Sequence, residues 1–462
     1  MLFNSYLFIF AFLPLALAGF FALRHQGQRL LFIVLASYIF YAWAAWWFPA
    51  LMLATTAISF VAGRVIAQTS GDRTRKVTLA VGIAGVLGLL GYFKYAGFTA
   101  YYASKFLVTL TGSGIPSVQA FVQSIVLPVG ISFFTFEAIS YMVDVYRGTI
   151  PVERNPLRYA FFISFFPHLI AGPIVRYGKL GPQLRERYRF DVELFRSGLF
   201  LFTLGLAKKV LLADGIAQHI DKPLAHTSGL GAVGAWSVMV GYAFQIYFDF
   251  SGYSDMALGL ARMFGIELPW NFNRPYRAAS PQEFWRRWHV TLSSWLRDYL
   301  YIPLGGNRKG EVRRDLNIMV TMGLGGLWHG ASLNFLIWGL YQGGLLVGNH
   351  HAQKLGLRIW RPISVAITFV LVTCGWVFFR FRFSGDSKNV FEAMAGRSGL
   401  GSPIHGLLPF LVVSAVLMWC VPEEWSWDLR GWGAVRVATL GAVAAVTLVA
   451  MNETSTFLYF RF

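Results

Sequence analysis

Apolar runs of 15 to 25 residues recur along the chain, separated by short polar segments rich in Arg and Lys. Each run is about long enough to cross a hydrocarbon core of roughly 30 Å as a helix. The pattern predicts about eleven crossings, at 5–23, 30–45, 49–65, 77–95, 120–145, 198–213, 232–262, 317–348, 363–379, 407–421 and 434–451, with a break expected inside 317–348. Shorter apolar pieces at 102–112 and 159–175 read as interfacial or re-entrant, because Pro167, Gly172 and Pro173 interrupt the second before it can span. Broken backbone at membrane depth is tolerated only inside protein or along a watery cavity. Ala16-Leu17-Ala18 resembles a signal-peptidase site, but the apolar stretch runs on past it and no basic residue precedes Arg24, so the first run reads as an uncleaved span.

Composition agrees with the pattern. The 462 residues would suit about three soluble domains, yet 56% are hydrophobic, 13% are charged and the mean hydropathy is +0.52. A soluble multidomain enzyme is excluded; the expected class is an all-α polytopic membrane protein, one membrane-embedded domain over 1–462 with its core motifs in 120–348. The net charge of +18 would suggest nucleic acid in a soluble chain. Here the cations sit mainly in short loops and read as topology and phosphate contact, with no nucleic-acid partner. Arg24 and Arg29, then Arg64, Arg73, Arg75 and Lys76, then Arg147, Arg154 and Arg158 follow the first, third and fifth runs. The positive-inside rule makes those loops cytoplasmic and the N-terminus external. Cys374 and Cys420 lie in apolar stretches, which argues against a disulfide framework or a Cys-based metal site.

The longest polar stretch runs from Asn271 to Asp315, with cations from Arg274 to Arg314 outnumbering acids. Ser280, Pro281 and Glu283 form a helix start: Ser as N-cap, Pro in the first turn, Glu closing a capping box. A helix beginning there puts Phe284, Trp288, Trp295 and Tyr299 on one stripe and Arg286, Ser293 and Arg297 opposite, an amphipathic helix at the membrane interface.

His329 stands out for chemistry, because Gly325-Gly326-Leu327-Trp328-His329-Gly330 lies deep in an apolar run. An ionisable residue there faces the interior or a watery cavity by default. The flanking glycines allow close approach, and an ordinary pKa of about 6.5 suits a general base. The competing interpretation is a histidine that only bonds another helix's carbonyl. His289 lies beside Arg286 and Arg287, and only tertiary folding could bring it to His329. His168, at the Phe166-Pro167-His168 turn, is a weaker candidate, and His25, His219, His226, His350, His351 and His405 read as solvated loop or span-end residues. The His350-His351 pair lacks a third ligand, so no metal site is expected. Asp249 and Asp255 are six residues apart, about 240° around a helix, and cannot form a carboxylate pair. They read as buried partners for arginines, or else as the lining of a polar tunnel. Glu137, Asp144 and Arg147 suggest an ion network. The segment 305–310 carries glycines and cations but not the spacing of a P-loop, and no Gly-x-Ser-x-Gly elbow is present.

Four blocks in order resemble the membrane-bound O-acyltransferase family, in its bacterial branch typified by the alginate O-acetyltransferase membrane subunit. They are Leu127-Pro128-Val129-Gly130-Ile131-Ser132-Phe133-Phe134-Thr135-Phe136; Phe165-Phe166-Pro167-His168 leading to Ala171-Gly172-Pro173; Asp249 to Asp255 with Leu268-Pro269-Trp270-Asn271-Phe272 and the helix bearing Arg287-Trp288-His289; and Gly325 to Gly330. Phe3-Asn4-Ser5 and Phe457-Leu458-Tyr459-Phe460-Arg461-Phe462 also look like that branch. The resemblance implies a multi-pass transferase of the bacterial inner membrane with a tunnel. It implies acetyl-CoA as donor substrate with no bound cofactor, and a periplasmic SGNH-type acetyltransferase partner that passes the group to a polysaccharide such as alginate. It makes His329 catalytic and His289 its support, with Trp328, Asp255, Arg286, Arg287 and Asn334 as residues of the tunnel or the coenzyme site. One departure is Gln342, where related sequences often carry His. Rival expectations are D-alanyl transfer from a carrier-protein thioester, O-acetylation of peptidoglycan or cellulose, and a non-catalytic polysaccharide exporter.

Overall fold

A computed structural model describes residues 1–111, 117–186, 188–381, 385–422, 433–451 and 457–458, and every regular element among them is helical. Residues 459–462 of the C-terminal motif lie outside the described residues. The chain forms two compact units, Met1–Phe195 with Ala261–Leu268, and Arg196–Leu260 with Pro269–Phe462.

Among the described residues, three helices are long and apolar enough to cross a membrane alone: Phe48–Gln68, Asp72–Thr111 and Arg361–Arg380. Shorter apolar helices occupy Phe8–Ala22, Leu407–Trp419 and Ala434–Ala450. Leu53, Val81, Leu408 and Val449 on these helices keep large apolar side chains exposed, as lipid-facing surfaces do. Several expected boundaries change. Of the piece at 102–112, residues 102–111 are the continuation of the 40-residue helix Asp72–Thr111 and not a separate interfacial element, and residue 112 lies outside the described residues. The expected span 120–145 is broken: Ser117–Ser124 is followed by four irregular residues, and Ile131–Arg147 begins after Gly130 in a left-handed conformation (φ 80°). The break expected inside 317–348 falls between Glu311–His329 and Leu333–Lys354.

In the first unit two of the three loops that the charge pattern puts on one side touch, those after the third and fifth runs. Arg75 Nη2 donates to the carbonyl of Tyr146 (2.8 Å), and Arg64 Nη1 to that of Arg154 (3.4 Å). The segment 159–175 is interrupted as expected, into Pro156–Ser164 and Phe166–Leu169 followed by irregular chain. Glu137, fully buried, serves this break rather than joining Asp144 and Arg147. Its Oε1 accepts from the Val175 amide (2.9 Å), and its Oε2 lies 3.4 Å from His168 Nε2. An amide that a broken helix leaves open must be satisfied inside the protein.

In the second unit two contacts depend on glycine. The helix Val192–Ala207 packs on the 32-residue helix Ala232–Met263 so closely that a Cβ on Gly205 would stand 2.4 Å from the Gly252 carbonyl oxygen, and one on Gly259 2.5 Å from that of Gly198. Glu311–His329 and Leu333–Lys354 form a second close pair. A Cβ on Gly326 would meet the Phe335 carbonyl oxygen at 2.1 Å, and one on Gly339 that of Met322 at 2.2 Å. Lipid offers no hydrophobic drive for helices to associate, so close backbone approach at small residues supplies the packing.

Gly339→Ala should therefore destabilise the protein by at least about 1–3 kcal/mol through overpacking. Gly344→Ala on the same helix, with open space at its Cβ, should be neutral or slightly stabilising. Thermal unfolding of both variants in detergent checks the contrast.

Candidate functional site

The expected amphipathic helix is not continuous. Pro281–Arg287 begins as predicted: Ser280 Oγ accepts from the Glu283 amide (3.1 Å), and Glu283 Oε2 returns to accept from the Ala279 amide (2.8 Å). The helix stops at Arg287, His289 adopts a left-handed conformation (φ 42°), and Val290–Leu296 starts a new helix running into a π turn, Arg297–Tyr301. The cause is non-local. Residues 271–273 bond the backbone on both sides of the break, with Val290 N donating to Asn271 O (2.9 Å) and Asn273 N to Arg287 O (2.9 Å). Phe284, Trp288 and Trp295 are buried in the protein, while Arg286 and Arg297 stay exposed.

This break buries His289 completely. Its Nδ1 lies 3.0 Å from Asn271 Oδ1, its ring stands edge-on to Phe250 at 4.8 Å, and the Trp328 ring is 6.0 Å away. His329 is the last residue of its helix and is 5% exposed. Its ring is boxed by Trp328 at 5.0 Å, Trp338 at 5.2 Å and Phe379 at 5.3 Å. The two histidines thus belong to one aromatic cluster, with Trp328 against both. His329 opens on a small cavity of about 20 Å³, room for about one water, lined also by Ile246, Asp249, Phe250, Trp288, Trp338, Trp376, Phe379, Phe457 and Leu458. Trp376 stacks on Trp338 at 5.8 Å and donates to the Tyr276 hydroxyl (3.1 Å), which donates to the Ala243 carbonyl (2.7 Å).

Asp249 and Asp255 are buried and point to different partners, as their spacing required. Where arginines were expected, the partners seen among the described residues are lysines. Lys208 Nζ is 2.7 Å from Asp255 Oδ2; Lys209 Nζ is 2.7 Å from Asp249 Oδ1 and 2.6 Å from Asp214 Oδ1. Both lysines belong to a π turn, Lys208–Ala213, a feature frequent at functional sites. Asp249 Oδ2 also accepts from the Leu458 amide (2.8 Å), so Asp249 is both a charge partner and a wall of the His329 cavity. Lys208 borders a larger apolar cavity of about 220 Å³ with Arg274, Tyr247 and Met418.

The remaining candidates lie apart from the box. Arg287 Nη2 pairs with Glu283 Oε1 at 3.0 Å. Asn334 donates to the Phe378 carbonyl (3.2 Å) and accepts from the Ser332 hydroxyl, tying down the loop after His329. Gln342 is buried and its Oε1 accepts from the Trp285 indole (3.3 Å), one ring behind Trp338. Asn307, Arg308 and Lys309 are exposed on the glycine loop. His351 bonds Asp315 (2.8 Å) and His350 meets Arg314; among the described residues no group of three or more His, Cys, Asp or Glu could hold a metal. Trp338, Trp376 and Phe379 were not singled out by the pattern, since apolar periodicity does not say which faces converge; Phe457 and Leu458 belong to the C-terminal motif noted in the sequence. Lys208 and Lys209 did leave a signal: two cations in one predicted span and two carboxylates in the next.

An all-helical membrane protein with buried histidines in an apolar box fits an acyl-transferring enzyme, and comparison with known proteins defines the class. The family model of MBOAT, the membrane-bound O-acyltransferase family, matches residues 152–385. A protein named probable alginate O-acetylase AlgI from Pseudomonas aeruginosa is 42% identical over 401 residues, covering 85% of this chain and 75% of that one. A peptidoglycan O-acetyltransferase from Helicobacter pylori is 37% identical over 435 residues, covering 87% and 81%. A teichoic acid D-alanyltransferase from Bacillus subtilis is 28% identical over 268 residues, covering 54% and 68%. This chain belongs to the membrane-bound O-acyltransferase family and is an acyltransferase.

Removing one member of a buried charge pair leaves its partner uncompensated. Lys209→Met strands Asp214 and Asp249, and should destabilise the protein by about 3–5 kcal/mol. Adding Asp214→Asn and Asp249→Asn should recover most of that loss. Thermal unfolding in detergent reads both changes.

Proposed function

We propose that the protein is the membrane subunit of a bacterial O-acetylation system. It takes an acetyl group from cytosolic acetyl-CoA and passes it across the inner membrane, through a tunnel in a bundle of about eleven crossings. A periplasmic SGNH-type acetyltransferase then places the group on an exopolysaccharide such as alginate. The observation that carries this reading is the identity of about two residues in five to alginate O-acetylases over 85% of the chain.

The proposed chemistry centres on His329. Its neutral imidazole takes the proton of the acceptor hydroxyl as that oxygen attacks the thioester carbonyl. The C–O bond forms, the C–S bond breaks, and the imidazolium returns the proton to the departing coenzyme thiolate. Such general-base help typically supplies about 10²- to 10⁴-fold. Asp249 forms a wall of the same cavity with its charge held by Lys209, so the imidazolium forms beside a paired carboxylate and not an uncompensated one. The rings of Trp328, Trp338 and Phe379 around His329 keep bulk water from the thioester. His289 supports the proton transfer, and Arg286 and Arg287 with the basic stretch up to Arg314 receive the coenzyme's phosphates.

Two experiments test this. Membranes holding wild type or His329→Ala are given labelled acetyl-CoA, with and without periplasmic extract. Label should reach polymer only with wild type and extract, and sugar analysis of that polymer tells an exopolysaccharide from peptidoglycan, the substrate named for the Helicobacter relative. His329→Ala should lose at least about 100-fold while remaining folded; normal transfer by it would sink the assignment. Turnover with a carrier-protein thioester but not with acetyl-CoA would move the protein to the D-alanyl branch. Separately, Arg286→Gln with Arg287→Gln should raise the KM for acetyl-CoA by about tenfold, the scale of one lost charge-assisted contact, with kcat little changed.

A further inference from the structure

Asn271 deserves its own role. We infer that Asn271 is a positioning residue which fixes His289 in the tautomer carrying its proton on Nδ1, so that the ring serves acyl transfer as a hydrogen-bond acceptor through Nε2. The functional part of this statement rests on the reading just given; the tautomer itself does not.

The argument is one of donors and acceptors. An asparagine side chain has one end that only accepts and one that only donates. One end of Asn271 faces His289 Nδ1 at 3.0 Å, the Thr291 hydroxyl at 2.9 Å and the Thr291 main-chain nitrogen at 3.4 Å. A main-chain N–H can only donate, so that end is the oxygen. The other end, Nδ2, then donates to the Ser254 hydroxyl, at 3.4 Å. An amide oxygen can only accept, so His289 Nδ1 must carry a proton, and a neutral ring with its proton on Nδ1 has its lone pair on Nε2.

The backbone agrees with a site held for a purpose. His289 is one of two non-glycine residues with positive φ among the described residues, a conformation that costs about 1–2 kcal/mol. Asn271 O bonds the Val290 amide immediately after it, and Asn273 N bonds the Arg287 carbonyl just before it. The same short segment therefore clamps the strained backbone and orients the ring. Strain kept by surrounding bonds is characteristic of functional positions, and Trp328, in contact with both imidazoles, joins this ring to His329.

The test combines nitrogen NMR of the intact protein, labelled with ¹⁵N-histidine in nanodiscs, with kinetics of CoA release. His289→Gln assigns the His289 signals. Wild type should show Nδ1 protonated and Nε2 bare. Asn271→Asp, which still offers an acceptor, should keep that tautomer and most of the turnover. Asn271→Leu should give a mixture of tautomers and lower kcat by about tenfold or more, with the KM for acetyl-CoA within about twofold. A wild-type ring protonated on Nε2 would overturn the proposal even if Asn271→Leu fails to fold. So would an unchanged tautomer and kcat in a folded Asn271→Leu. If wild type turns over no acetyl-CoA, the proposed donor is wrong, while the nitrogen spectrum still decides the tautomer.

Discussion

Two lysines paired with two aspartates inside the second unit organise everything around the site. Unpaired, any of these four charges would be expelled from an apolar interior. Paired at 2.7 Å, Lys208 with Asp255 and Lys209 with Asp249 hold the π turn against the helix Ala232–Met263 at one rotation and one height. The pairing is possible only because Gly205 and Gly252 let the two backbones nearly touch. With that register set, Asp249 faces the His329 cavity and has an oxygen left for the Leu458 amide, which brings Phe457 into the same wall. Small residues, buried charges and cavity thus form one chain of dependence.

The hairpin that carries His329 also depends on close glycine contacts. Gly326 and Gly339 bring its two helices together, and the break between His329 and Leu333 leaves the imidazole at a helix end. There it is surrounded by rings from its own hairpin and from Arg361–Arg380. Aromatic side chains suit this task because each buries a large area with few rotatable bonds. The enclosure leaves this titratable ring beside a cavity of only about 20 Å³, so little water reaches it.

Much of this was legible beforehand, for local reasons. Ser280 and Glu283 announced a helix start because a capping box is written within four residues. The break expected inside 317–348 was found between His329 and Leu333, and the long apolar run at 232–262 became a single helix. What was not legible was non-local. Nothing near His289 predicts that the helix stops there, since the bonds that stop it come from Asn271 and Asn273. The partners of Asp249 and Asp255 were expected to be arginines because arginines are many; the lysines that bind them are about forty residues away, brought in by glycine contacts. Periodicity likewise shows that Trp338, Trp376 and Phe379 are apolar, but not that they meet.

The amide that completes Asp249 comes from Leu458, 209 residues later in the chain. A ribosome adding about 5–20 residues per second needs roughly 10 to 40 s to supply it. During that interval the nascent chain holds a carboxylate in a half-built wall. Lys209 is synthesised before Asp249 and can neutralise it at once. The order of residues along the chain therefore acts as a schedule for biogenesis: the charge is escorted from the moment it is made, and the cavity closes last.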